Sequence, residues 1–275
     1  MYAAEKHNSV YFPDIYFGKL TNTNLAVQAF IKLLYAILWN GVNMIQIDDA
    51  GSGSFVGGTC IGFYRPETNE YYFDIIPVEL YGIENFKRKL YLDCVVEIAE
   101  KAFAALKVSH YETIEICRGY MFEKLKLWLA QKGFCWYVTQ ITGKIQEVVE
   151  KNFELYTIKM GLPKEYIKYT HYPFHFHKLL RWVLSDYDNR ISLCKVGWKS
   201  WQKLKNITLS VSYGKMEHAN YYCLKCTKRI KKGTNIAILR FYSNQHNYIY
   251  LHKGCEVQQA GVLLKTENPS QHFHV

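Results

Sequence analysis

Proline is scarce in this chain, with 6 in 275 residues, and no repeat or low-complexity block interrupts it. So few breakers in a chain that is 49% hydrophobic indicate an ordered globular protein of one or two domains. Long apolar runs are missing too. The most apolar stretch, residues 25–39, carries Gln28 and Lys32 and falls about five residues short of a bilayer span. It reads as a buried helix, and no membrane anchor is expected. Residues 1–12 have no basic segment followed by an apolar core, so no secretory leader is expected. The eight cysteines are therefore expected to be reduced, in the cytoplasm or another reducing intracellular compartment. Nothing matches a phosphate-binding loop with its lysine. Gly51-x-Gly53 leads into a hairpin rather than a helix, which argues against a nucleotide fingerprint.

Acidic residues are scarce in only one part of the chain. Residues 1–160 hold 16 lysines and arginines against 18 aspartates and glutamates; residues 161–275 hold 18 against 6. The net +10 is thus carried by the second part, which also contains Trp182, Trp198, Trp201, Tyr221, Tyr222, Tyr242 and Tyr248. Basic groups among aromatics suit phosphate contacts combined with stacking on bases. A generically basic, tyrosine-rich surface is the plainer alternative.

Four donors stand out in that part: Cys223-x2-Cys226, then 25 residues, then His252-x2-Cys255. Two residues between ligands let one tight turn aim both side chains at one ion. Three thiolates and an imidazole suit tetrahedral Zn2+. The chain between them reads as a turn at Lys231-Lys232-Gly233 and two strands, 235–242 and 247–251, enough to return the second pair to the first. A structural zinc site is expected, against the alternative of unrelated cysteines and histidines in a reduced protein. Cys60, Cys94, Cys117 and Cys135 lie in or beside apolar runs and read as small hydrophobes. His171, His175 and His177 flank Pro173, which prevents a shared helical face. They read as surface histidines among aromatics rather than as a second metal site.

Hydrophobic periodicity predicts a helix over 24–39, then a strand over 43–48 running into a glycine-rich turn at 50–58. Residues 59–65 and 70–76 read as a hairpin. A long helix over 84–106 follows, with Leu90, Cys94, Val95, Ile98, Ala102 and Phe103 on its apolar side. Then come a strand over 113–117, a helix over 121–131, a strand over 134–140 and a helix over 144–159. Helical crossovers make the later strands parallel, while the opening ones pair as antiparallel hairpins. The expected fold class is α/β, a mixed sheet with helices on its faces, plus a small C-terminal zinc-binding α+β module. Beyond Pro163, a helix over 178–184 and a strand over 207–213 precede the cysteine–histidine module at 220–262 and a tail at 263–275.

Within this order, Ile47-Asp48-Asp49-Ala50-Gly51-Ser52-Gly53 places acids on the first strand, ahead of a glycine-rich turn into an antiparallel second strand. Over residues 42–160 the chain thereby resembles the ribonuclease H-like fold, the superfamily of ribonucleases H, transposases and Holliday-junction resolvases. The resemblance implies a ribonuclease H-like domain at 42–162, with the N-terminal segment and helix of residues 1–41 packed on it. It also implies a carboxylate cluster at the sheet's centre. Asp48 is the preferred first-strand acid and Asp49 the fallback, since alternation sends the two to opposite faces. Glu115 on the fourth strand and Glu147 or Glu150 on the last helix fit the resolvase branch. Such oxygen ligands hold Mg2+ or Mn2+, and two ions about 4 Å apart activate water for phosphodiester cleavage.

The sequence departs from the family at two places. Cys117-Arg118-Gly119 stand where ribonuclease H proper has an aspartate after the fourth strand, and the last-helix acids are glutamates where resolvases usually have aspartates. On the residues alone, Asp48 and Asp49 can also start a turn, and Glu115 can pair with Arg118 or a lysine. Glu147 and Glu150 can equally be a solvated helix face.

The C-terminal ligand order, with its Lys-x-Gly turn and aromatic-rich strand before His252, resembles treble-clef fingers, among them the DNA-break finger of the poly(ADP-ribose) polymerase type. Lys225, Lys228, Arg229, Lys231, Lys232, Arg240 and Lys253 are candidate phosphate contacts around it. The expected function is metal-dependent phosphodiester hydrolysis on DNA or RNA, with the basic connecting region at 163–219 and the zinc finger holding the substrate. Two alternatives stand beside it. One is a non-catalytic nucleic-acid-binding or scaffold protein of the same fold; the other is an adaptor whose finger docks a protein partner.

Overall fold

The structure, a computed structural model, describes residues 10–11, 43–164, 167, 175–204, 207–218, 221–255 and 263–266. The helix expected over 24–39, His171 and residues 267–275 lie outside the described residues. In chain order the first elements are β1 (Val10–Tyr11), β2 (Met44–Ala50), β3 (Thr59–Arg65), β4 (Glu70–Ile76), α1 (Ile83–Lys87) and α2 (Leu90–Ala105). Next come β5 (Thr113–Cys117), α3 (Glu123–Gln131), β6 (Trp136–Thr139) and α4 (Lys144–Lys159). The rest are α5 (Phe176–Leu184), α6 (Tyr187–Arg190), α7 (Lys199–Leu204), β7 (Thr208–Lys215), β8 (Tyr221–Tyr222) and β9 (Arg229–Ile230). Last are β10 (Asn235–Tyr242), β11 (His246–His252) and β12 (Leu263–Thr266). The chain divides into two compact units. The first takes its residues from 1–52, 59–76 and 90–153, the second from 53–58, 77–89 and 154–275.

The first unit is built on a six-stranded sheet in the order β1-β6-β5-β2-β3-β4. As the crossovers dictate, β2, β3 and β4 pair antiparallel, while β5 runs parallel to both β2 and β6. Both faces of the central strands are covered. One presents Ile45, Ile47, Ile61, Phe63, Ile114 and Ile116, all fully buried. Phe103 of α2 meets Phe63 edge-on on that side, with ring centroids 6.2 Å apart. The opposite face takes α4, and Gly62 makes the close approach there. A Cβ at Gly62 would lie 2.3 Å from Val149 Cγ1, so only glycine lets this helix sit on β3. Gly51 at the end of β2 has a left-handed φ of 88°, and its missing Cβ leaves room for the Phe153 ring. At the far end of the sheet Arg65 is buried, donating from Nε to Glu112 Oε2 at 2.9 Å and from Nη2 to the Leu106 carbonyl at 2.8 Å.

The long helix expected over 84–106 is two helices. Lys89 adopts a left-handed φ of 58° between α1 and α2, a backbone state that ends a helix. Neither glycine nor proline marks the break, which hid it from sequence reasoning.

The second unit holds a four-stranded sheet in the order β11-β10-β7-β12 and the small β8-β9 hairpin. β7, β10 and β11 are antiparallel neighbours, and β12 runs parallel to β7. Residues 263–266, expected as tail, thus form a strand. Its core gathers Leu179, Leu180, Trp182 and Val183 of α5 with Leu209, Leu239, Ile249 and Leu251 of the sheet. Lys195 is also fully buried in this unit, with Nζ 4.5 Å from the Tyr81 ring centre and 5.2 Å from that of Trp198. No helix among the described residues is long and apolar enough to cross a membrane.

Candidate metal centre

The Cys/His group is assembled from two turns. Cys223 donates its N–H to the Lys228 carbonyl at 2.9 Å, and its own carbonyl accepts from Thr227 N–H at 2.8 Å. Thr227 has a left-handed φ of 62°, which tightens the turn so that Cys223 and Cys226 face the same point. The second pair leaves the end of β11, where His252 closes the strand and Cys255 lies one short 3-10 turn further on. The four donor atoms lie within 4.8 Å of one another, and Cys226 Sγ is 3.3 Å from His252 Nδ1. That set can hold one metal ion.

Protonation follows from this crowding. Burial acts to raise the Cys226 thiol, but hydrogen bonds from the Lys228 amide and from Cys223, His252 and Cys255 outweigh it and bring it down to about 7. Cys255 moves the other way, pushed up to about 12 by burial and by the charge and hydrogen bonds of Cys223 and Cys226. Thiols packed this closely cannot all ionise unless a cation joins them.

Arg190 fixes the first turn from behind. It is buried, with its guanidinium 4.3 Å from the Trp182 ring centre. Nη1 donates to the carbonyls of Trp182 at 2.6 Å and Leu224 at 2.9 Å, and Nη2 to that of Lys225 at 3.2 Å. Two carbonyls inside the Cys223–Cys226 turn are thereby tied to α5 and α6. Burial lowers the Arg190 pKa, though the group stays cationic.

Around this centre Lys228, Arg229, Lys231, Lys232 and Lys253 are exposed. Lys225 is half-buried, with Nζ 3.8 Å from Asp186, and Arg240 is half-buried on the sheet. These seven are all the lysines and arginines of residues 221–255, a stretch with no aspartate or glutamate. Of the histidines flanking Pro173, the rings of His175 and His177 are 5.5 Å apart, and His177 Nδ1 lies 3.2 Å from Ser243 Oγ.

The second group of donors lies in the first unit and comprises Asp48, Asp49 and Cys117, again within 4.8 Å of one another. Alternation was expected to send the two aspartates to opposite faces. At the end of β2, however, the Asp48 carboxylate turns back to accept the Asp49 N–H at 2.9 Å, so both carboxylates reach one place. Cys117 Sγ lies 3.7 Å from Asp49 Oδ1. Asp48 is buried, and that burial raises its carboxyl pKa, helped by the charge of Glu150 and opposed by hydrogen bonds from Cys117 and the Asp49 amide. Burial also drives the Cys117 thiol far up, reinforced by its bond to Asp48 and the charges of both aspartates.

The other expected acids are not among the donors gathered there, although the charge of Glu150 reaches Asp48. Glu115 is in register with Gln46 and Tyr137, accepting from Gln46 Nε2 at 2.9 Å and from the Tyr137 hydroxyl, rather than pairing with Arg118 or a lysine. Glu147 and Glu150 are exposed on α4, where Gln146 Nε2 donates to Glu150 at 3.0 Å. Cys117 was read as a small hydrophobe. The register of β2 and β5 sets it beside Asp48, since it lies two residues beyond Glu115 as Asp48 lies two beyond Gln46.

In comparisons with known proteins, no protein-family model matches this chain and no curated protein matches its sequence.

Proposed function

We propose that this protein binds nucleic acid without cleaving it, through a basic second unit folded around a structural zinc ion on Cys223, Cys226, His252 and Cys255. The observation that carries the reading is the acid-free stretch 221–255, whose Lys228, Arg229, Lys231, Lys232 and Lys253 are exposed around the cysteine–histidine group. Exposed basic groups of this kind release counterions from a polyanion, and aromatic groups beside them can stack on bases. Zinc supports this by holding two distant turns together, and three thiols with an imidazole are the donors it favours.

For the first unit we propose a ribonuclease H-like architecture. Its support is the antiparallel opening strands, the two parallel strands reached through helices, and Asp48 at the end of the central strand. The binding role is favoured because the group around Asp48 offers two carboxylates and a cysteine sulfur, where a divalent-metal site of this kind calls for hard oxygen ligands throughout. One observation favours the hydrolytic reading instead: the charge of Glu150 reaches Asp48. In that reading Asp48, Asp49 and Glu150 hold Mg2+ or Mn2+, and Glu115 and Glu147 stay outside the site.

The test is the affinity of the full chain for labelled DNA and RNA, single-stranded and duplex, across a salt series. The expected result is binding that weakens linearly on logarithmic axes as salt rises. Lys231→Gln with Lys232→Gln should lower that slope by about one for each phosphate no longer neutralised. Absence of binding to any nucleic acid would remove this reading in favour of a protein-docking adaptor.

A further inference from the structure

The four-stranded sheet of the second unit turns one face into its core; on the other face Ile236 is buried and Ile238 and Tyr250 are partly covered, so it is open only toward the β10–β11 turn. Leu239 and Phe241 of β10 point inward with Ile249 and Leu251 of β11, all buried. By alternation Arg240 and Tyr242 point the other way, as do their cross-strand partners Tyr248 and His246. Pairing sets Tyr248, Arg240 and Ser210 in one row across three strands, and Tyr250, Ile238 and Ser212 in the next. The two serines keep the β7 side of this face low. Tyr250 packs edge-on against Tyr221 of β8, with centroids 5.0 Å apart, so the β8-β9 hairpin occupies that end. At the open end Tyr242 is 66% and Tyr248 41% exposed.

Tyr242 and Tyr248 are diagonal neighbours on adjacent strands, with Cα atoms about 7–8 Å apart, and Tyr242 also packs edge-on against His246 with centroids 5.4 Å apart. The tight β10–β11 turn fixes the diagonal spacing: Ser243 N–H donates to the Gln245 carbonyl at 3.0 Å, and Asn247 Nδ2 donates to the same oxygen at 2.9 Å. Two large phenol rings held rigidly on an exposed sheet face lose little freedom on binding a flat ligand. Arg240 stands on the same face, directly across from Tyr248.

The geometry points to a single-stranded nucleic acid lying across this face, with two bases stacked on Tyr242 and Tyr248 and a phosphate met by Arg240, across from Tyr248. This rests on the nucleic-acid reading above and names its substrate class. A duplex hides the faces of its bases, whereas an unpaired strand offers a π-face at every nucleotide.

The experiment is anisotropy with labelled oligothymidylate and oligouridylate of about 16 nucleotides and with a duplex of the same length. It uses the full zinc-loaded chain and its Tyr242→Ala/Tyr248→Ala and Tyr242→Phe/Tyr248→Phe variants. The expected result is preference for the single strands and a loss of at least roughly fivefold for each alanine. The salt slope should be unchanged and the phenylalanine variant near wild type, since stacking needs the ring and not the hydroxyl. Photocross-linking of the wild-type chain to a bromouridine strand, with adducts mapped to 242–248, reads the same site without relying on a variant to fold. Wild-type binding that is indifferent to both alanines and cross-links elsewhere overturns the platform and leaves the nucleic-acid reading standing. Duplex preferred over single strand overturns it too, and a wild-type chain that binds neither removes the broader reading as well.

Discussion

Cys223, Cys226, His252 and Cys255 come from two tight turns far apart in sequence, whereas Asp48, Asp49 and Cys117 come from the ends of two adjacent strands. In both groups the donor atoms lie within 4.8 Å of one another. Their surroundings differ. In the Cys/His group hydrogen bonds bring the Cys226 thiol down to about 7 while Cys255 is pushed up to about 12, so one thiol gives up its proton readily and the other yields it only to a cation. In the Asp group burial raises both Asp48 and Cys117, which favours the neutral forms that ligate poorly. The two groups differ first, however, in donor chemistry, three thiols and an imidazole against two carboxylates and a thiol.

The largest effect separating the two is expected from Cys223→Ser. Structural zinc contributes about 10–16 kcal/mol of apparent binding energy in isolated fingers, so its loss should unfold the β8-β9 region of the second unit. Metal content by mass spectrometry should fall from one equivalent to none, with a lower Tm. Cys117→Ser should leave metal content untouched. Should Cys117→Ser remove the bound metal instead, the comparison is reversed.

Arg190→Ala comes next. It strips the buried donor from the Leu224 and Lys225 carbonyls, a loss of about 1.5–3 kcal/mol by the usual worth of hydrogen bonds to a charged group. Urea unfolding should record it, together with weaker zinc retention against a chelator. Unchanged retention would mean that the Cys223–Cys226 turn holds itself.

The smallest effect sharpens the other side. Because the Asp48 carboxyl is raised, the folded chain binds that proton more tightly than the unfolded chain. Its contribution to stability is complete below the ordinary carboxylate value and is lost as pH climbs through the window up to the raised value. Asp48→Asn should thus be slightly more stable than wild type at neutral pH, with a flatter stability profile across that window. Mn2+ should raise the Tm of neither protein. A Tm that rises with Mn2+ in wild type alone would identify Asp48 as a ligand.

Much of this was legible because it is periodic or local. The strands at 59–65, 70–76 and 113–117 and the helix at 144–159 alternate or repeat cleanly and formed where expected. The Cys/His group was legible because two-residue spacings dictate turn geometry. What sequence hid was set by contacts at long range. The partners of Glu115, Gln46 and Tyr137, are fixed by register between strands. Glycine at position 62 carries no signal until Val149 of α4 is set against it. Asp49 joins Asp48 only because the latter bends to its neighbour's amide.

The central claim is binding without cleavage, and one assay tests it most directly. Labelled single-stranded, duplex and branched DNA and RNA are incubated with the zinc-loaded chain in Mn2+ and, separately, in EDTA, alongside Asp48→Asn. The account predicts salt-sensitive complexes of intact nucleic acid, the same with either protein. Cleavage that needs both Mn2+ and Asp48 would contradict it and make the first unit a nuclease.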